Sequence, residues 1–195
     1  MLHRSLIACA LAFAAFSSPA FAQTFDGPYL GVEVGYERLS DDLDGGVYGL
    51  FAGWDVPVSA NWVIGIEGRL AAPDTSFRLT RETGAGTAVS SVDVNSQYGI
   101  GARIGYLVGK NTLLYGHAGY ERFDVDSTIV TTPTPPCVQC NPTLADFSFD
   151  EDMVTLGAGI EHAVTDRVRT RIVYTYGDGD AFERNRVSLG VAYQF

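Results

Sequence analysis

Tyr98-Gly99-Ile100-Gly101-Ala102-Arg103-Ile104-Gly105-Tyr106 decides how this chain is read. Every second residue is apolar: Tyr98, Ile100, Ala102, Ile104 and Tyr106. Between them stand Gly99, Gly101, Arg103 and Gly105, with Gln97 just before. A period of two is the signature of a β-strand with two unlike faces, and nothing in this stretch has helical spacing. One face is apolar with aromatics at both ends. The other is glycine with one long cation.

The same pattern recurs along the chain. Leu30, Val32, Val34 and Tyr36 oppose Gly31, Glu33, Gly35 and Glu37. Val154, Leu156, Ala158 and Ile160 oppose Thr155, Gly157, Gly159 and Glu161. Val187, Leu189, Val191, Tyr193 and Phe195 oppose Ser188, Gly190, Ala192 and Gln194. Eight segments follow from the periodicity: 28–39, 47–56, 62–70, 92–108, 112–124, 149–163, 167–177 and 185–195. The facing of the fifth is open. Tight turns at 57–61, 109–111 and 164–166 alternate with longer connections at 40–46, 71–91, 125–148 and 178–184. Short turns on one side and long loops on the other are the layout of an eight-stranded antiparallel transmembrane β-barrel, with both termini at the short-turn end.

Alternation alone does not say which face is outside, and a secreted soluble barrel would bury the apolar one. Two features favour lipid outside. A narrow eight-stranded barrel is filled by its own side chains, so residues as long as Arg103 and Glu161 fit inside only beside glycines. On a solvated face those glycines would only weaken the strands. Aromatics also gather at the two ends of the apolar face. Tyr36, Tyr48, Tyr98 and Tyr176 fall near the loop end, and Trp54, Trp62, Tyr106, Tyr193 and Phe195 near the turn end. Tyr98 and Tyr106 are eight residues apart, which projects to roughly 20 Å for a tilted strand, close to the ~25 Å apolar band of such barrels.

The start of the chain agrees with export. Met1-Leu2-His3-Arg4 is basic, 6–16 is uncharged and apolar, and Ala20-Phe21-Ala22 is an A-x-A cleavage site. A signal peptide over 1–22 is expected, leaving 23–195 as one barrel domain. Without Arg4, 12 basic residues face 23 acidic ones, a net charge of −11. That balance argues against nucleic acid as a partner, because phosphate neutralisation needs a basic face. It also argues against docking on anionic lipid through a basic patch.

Gly27-Pro28-Tyr29-Leu30-Gly31-Val32, Ile66-Glu67-Gly68, Gly101 to Tyr106, Leu114 to Tyr120, Leu156 to His162, Tyr174-Thr175-Tyr176 and the closing Tyr193-Gln194-Phe195 stand in an order that carries a family resemblance. The chain resembles the small outer-membrane β-barrel proteins related to the OmpA transmembrane domain, OmpX and the opacity-like surface antigens, in the flavour of the porin-family proteins of α-proteobacteria. It departs from many relatives at His162, where Tyr is common, at Val173, where an acid is common, and in a proline-rich insertion with two cysteines. The resemblance implies residence in the bacterial outer membrane, with lipid around the barrel. It also implies that the strand ending in Phe195 is read by the barrel-insertion machinery. It stops at the barrel, so no wall-anchoring domain is expected.

Charges on the inward face are the main candidate site: Glu33, Glu67, Arg69, Arg103, Glu161, Arg169 and Arg171. Buried charges must be paired. They form either a structural ion-pair plug or the wall of a narrow passive pore for ions or small solutes. Cys137-Val138-Gln139-Cys140 lies among Pro133, Pro135, Pro136 and Pro142, which leaves no helix N-terminus to activate a thiol. Zinc needs about four ligands and only two are near. A disulfide between Cys137 and Cys140 is the reading for an oxidising compartment. A lipid-modifying enzyme is the rival class, but His117 has no serine or acid at ±2 and His162 faces the turn end, so no catalytic residue, cofactor or metal is expected. Any extracellular ligand would meet the long loops.

Overall fold

The computed structural model describes residues 24–39, 43–74, 76–83, 86–133, 143–180 and 183–195. The expected signal peptide, Cys137 and Cys140 lie outside the described residues. The strands are β1 (Gly27–Leu39), β2 (Leu43–Pro57), β3 (Trp62–Asp74), β4 (Ser76–Thr83), β5 (Gly86–Val108), β6 (Thr112–Pro133), β7 (Thr143–Ala163), β8 (Val168–Gly179) and β9 (Glu183–Gln194). Each pairs antiparallel with its neighbours, β1 pairs with β9, and β3 pairs with β5. The sheet therefore closes on itself. β3 and β4 both lie along β5, from Trp62↔Tyr106 to Ala71↔Gln97 and then from Ser76↔Asp93 to Thr83↔Gly86. They are successive parts of one stave, so nine segments build a closed eight-stranded antiparallel barrel.

Two connections expected as loops, 71–91 and 125–148, are largely strand. β5, β6 and β7 run for 23, 22 and 21 residues and stand well beyond the apolar band. Thr, Ser and Asp crowd these outer parts, so the apolar alternation that marks a lipid-facing strand fades although the ladder continues. Turns at the other end are short. Val58 N donates to Trp62 O at 2.9 Å and Val164 N to Val168 O at 2.9 Å, and Gly109 supplies a left-handed residue at φ +71°.

The facing inverts that of a soluble protein. Ile66, Ile100, Val154 and Leu156 are more than 60% exposed, while Arg169, Arg184 and Arg186 are the largest side chains sealed inside. A continuous apolar surface of this kind belongs against hydrocarbon. β6, left open by its sequence, turns Leu113, Tyr115, Glu121 and Phe123 inward and Leu114 and Tyr120 outward. The aromatic positions at both ends are exposed, except Tyr176, which is half-buried. Trp62 meets Tyr106 edge-on at 5.3 Å and Tyr193 meets Phe195 at 5.2 Å. Tyr174 also faces outward, donating from its hydroxyl to Asn185 at 2.6 Å.

Candidate functional site: the ionic lumen

Alternation brings every inward charge to the barrel axis, and the stagger of the staves sorts them into tiers. At the turn end, Asp55 (β2), Arg103 (β5), Glu161 (β7) and Arg169 (β8) form a circuit of alternating charge. Arg103 Nε donates to Asp55 Oδ1 at 2.9 Å, its Nη2 donates to Asp55 Oδ2, and its Nη1 reaches Glu161 at 2.9 Å. Arg169 Nη1 closes the circuit to Asp55 at 2.9 Å and Glu161 at 2.8 Å. All four side chains are at most 2% exposed. Tyr29 lies beneath both guanidiniums, its ring centre 4.6 Å from Arg103 and 4.4 Å from Arg169.

The next tier repeats the plan. Arg69 (β3) pairs with Glu33 (β1) at 3.0 Å and with Glu67 (β3) at 3.4 Å. Arg171 (β8) pairs with the same two carboxylates at 2.8 and 2.7 Å, over the ring of Phe51. Tyr29 donates its hydroxyl to Glu67 at 2.9 Å and ties the tiers together. Toward the loop end, Arg186 pairs with Glu37 at 2.7 Å and Arg184 with Glu121 at 2.7 Å, with Gln97 between them. Arg69 reaches Glu121 at 3.2 Å from below. In these tiers six arginines thus meet the carboxylates of Glu33, Glu37, Asp55, Glu67, Glu121 and Glu161.

Glycine makes these pairings reachable. Asp55 is level with Gly65, and Gly65 with Arg103. Glu33, Gly190 and Arg171 are level in the same way, as are Arg69, Gly99 and Glu121 and Tyr29, Gly53 and Glu67. In each case two polar side chains stand two staves apart, about 10 Å at the usual strand spacing, and the stave between carries no side chain. The long partner lies flat across the glycine. A Cβ on Gly65 would strike Asp55 Oδ1 and come 2.9 Å from the carbonyl oxygen of Trp54; one on Gly190 would come 3.1 Å from Arg171.

All seven charges expected from the sequence lie in the first two tiers. Tyr29, Glu37, Asp55, Gln97, Glu121, Arg184 and Arg186 are further members. Asp55 was accessible in principle, since it sits between the outward Trp54 and Val56. Arg184 falls at the end of the connection expected over 178–184 and belongs to β9. Beside the second tier a small cavity of about 30 Å³ is lined by Tyr115, His117, Glu121 and Thr155 among others; that is room for one or two waters. His117 stands inside the lumen, with Nε2 3.3 Å from Thr175 Oγ1. His162 stands outside, with Nδ1 3.0 Å from Thr112 Oγ1. Among the described residues no group of three or more His, Cys, Asp or Glu is placed to hold a metal.

Comparison with known proteins agrees with this architecture. Residues 8–195 match the family model described as the outer membrane protein beta-barrel domain. The chain is 28% identical over 196 residues to a 22 kDa outer membrane protein of Rhizobium leguminosarum bv. viciae, covering 89% of this chain and 80% of that one. Its fold is similar to that of Ail, the attachment invasion locus protein of Yersinia pestis, at TM-score 0.56 and 14% identity over 87% of this chain and 99% of that one. It is also similar to Neisserial surface protein A at TM-score 0.52 and 12% identity, over 87% and 98%. The chain belongs to the outer membrane protein β-barrel domain family and resides in the bacterial outer membrane.

Proposed function

We propose that this protein is a closed, non-catalytic barrel whose lumen is plugged by its ion pairs and whose working surface is the sheet it projects outside the cell. The observation that carries the plug is the pair of alternating-charge circuits, Asp55–Arg103–Glu161–Arg169 and Glu33–Arg69–Glu67–Arg171. Each guanidinium holds two carboxylates in pairs that are at most 13% exposed, so a hydrated ion entering the lumen has to part buried charges.

The surface role rests on the uneven rim. β4 and the outer parts of β5, β6 and β7 stand above the staves of β1, β2, β8 and β9. Among the described residues β7 pairs with β8 only from Met153 on. Among the described residues β4 pairs with β5 alone. Unpaired strand edges are sites for strand addition by an extended polypeptide.

The test is single-channel recording on refolded 23–195 in planar bilayers. Wild type should give no resolved current, and Arg103→Ala, which opens the first circuit, should give discrete openings. Steady conductance from the wild type would favour the narrow pore instead, with the cavity beside His117 as its path.

A further inference from the structure

The segment just before β1 does something that no strand does. Gly27 takes φ +91°, a left-handed conformation that turns the chain away from the β1 direction. The preceding Phe25 enters the barrel and is 1% exposed. It packs in one apolar cluster with Val63, Leu107, Leu113, Tyr115, Ala163 and Val173, and its ring centre lies 5.1 Å from the Arg169 guanidinium.

Four of them, Val63, Leu107, Leu113 and Ala163, come from β3, β5, β6 and β7, each at or beside the residue where its stave meets a turn. They line one half of the turn-end mouth. The other half belongs to β8, β9, β1 and β2, whose inward residues near this level are the polar or amphipathic Arg169, Gln194, Tyr29 and Asp55, with only the small Ala192 apolar among them. The staves alone do not complete an apolar floor. Phe25 crosses from the β1 side to join the apolar half.

The hook is clamped. Gln194, on the last strand, donates its side-chain amide to the carbonyls of Asp26 at 2.6 Å and Pro28 at 3.1 Å. Phe195 N donates to Pro28 O at 3.1 Å. The clamp therefore spans the seam where the first and last strands meet, and it holds Phe25 only when that seam is shut.

We propose that Phe25 is an intrachain stopper that seals the turn-end mouth of the lumen, separately from the ion-pair circuits above it. It keeps water and solutes from that side off the Asp55–Arg103–Glu161–Arg169 circuit. The seal does not depend on whether the circuits block current.

A thiol placed behind the stopper tests it. Ala163→Cys is introduced into 23–195 carrying Cys137→Ser and Cys140→Ser, refolded in detergent micelles, and treated with a small cationic methanethiosulfonate. Fast unboiled migration on a gel confirms that each variant is folded. With Phe25 in place labelling should be slow. Phe25→Ala should speed it by about an order of magnitude or more, because access no longer waits on local opening. Phe25→Leu, which refills the space, should restore slow labelling. If Ala163→Cys does not fold, Leu113→Cys takes its place. Equal labelling rates for the chain that keeps Phe25 and for its Phe25→Ala and Phe25→Leu variants would overturn the stopper. Current recorded on Phe25→Ala bears only on the circuits: a silent channel with fast labelling supports the stopper and leaves the plug intact.

Discussion

Two arginine–aspartate forks in this barrel have nearly the same geometry and opposite surroundings. Arg122 offers Nε and Nη2 to the two oxygens of Asp152 at 2.6 and 3.1 Å. Arg103 offers the same two nitrogens to Asp55. The first pair is directly opposite in the β6–β7 ladder, on the outer surface, with side chains 39% and 44% exposed. The second reaches across Gly65 inside the lumen, with side chains 2% and 0% exposed. Contact distance alone therefore does not measure what an ion pair contributes. Water replaces a lost partner on the outside, whereas in the lumen the remaining charge is stranded.

The largest effect expected from this contrast is on Arg103→Ala. It leaves Asp55 and Glu161 sharing Arg169 and one uncompensated buried charge, which costs on the order of 3–5 kcal/mol. Urea unfolding in lipid vesicles should show that loss, and it should persist at high salt, because a sealed pair is little screened. Arg122→Ala should leave the midpoint where it was. Equal losses for both variants would mean that the lumen charges are solvated, and the contrast would collapse.

Gly65→Val sharpens the comparison without removing any charge. A side chain there has to displace the Arg103–Asp55 fork, so destabilisation of about 1–3 kcal/mol is expected from overpacking, with the broken pair adding to it. Gly46→Val is the control, since nothing lies within 4 Å of a Cβ at Gly46. If the same unfolding assay ranks the two alike, the lumen is looser than the glycine bridges require.

The smallest of the three is on the outer wall. Trp62→Ala removes the edge-on contact with Tyr106 at the turn-end rim, an interaction worth roughly 0.5–1.5 kcal/mol beyond burial. The unfolding midpoint should fall slightly and gel mobility of the unboiled protein should not change. A loss as large as that of Arg103→Ala would place the main stabilising interactions in the wall rather than in the lumen.

Period-two alternation was enough to read a barrel, its outward face, and an inward face carrying Glu33, Glu67, Arg69, Arg103, Glu161, Arg169 and Arg171. Each of those assignments depends only on a residue's neighbours along its own strand, and the pleat transmits that information locally. Glu37 was on the inward face of the same pattern and Asp55 between two outward residues, so their membership of the network needed no further signal. The outermost parts of β5 (86–91), β6 (125–133) and β7 (143–148) read as connections, because Ser, Thr and Asp interrupt the apolar alternation there.

What the amino-acid order by itself determined is therefore which residues point into the lumen and which toward lipid. Which of them meet was decided only by the tertiary structure. That Asp55, Gly65 and Arg103 share a level, or Glu33, Gly190 and Arg171, follows from the stagger between staves. Stagger is a property of barrel closure rather than of any single strand. The entry of Phe25 into the turn-end mouth has the same origin. Its pocket is assembled from β3, β5, β6, β7 and β8, its clamp from β9, and no local pattern around residue 25 encodes elements that come together only when the sheet closes.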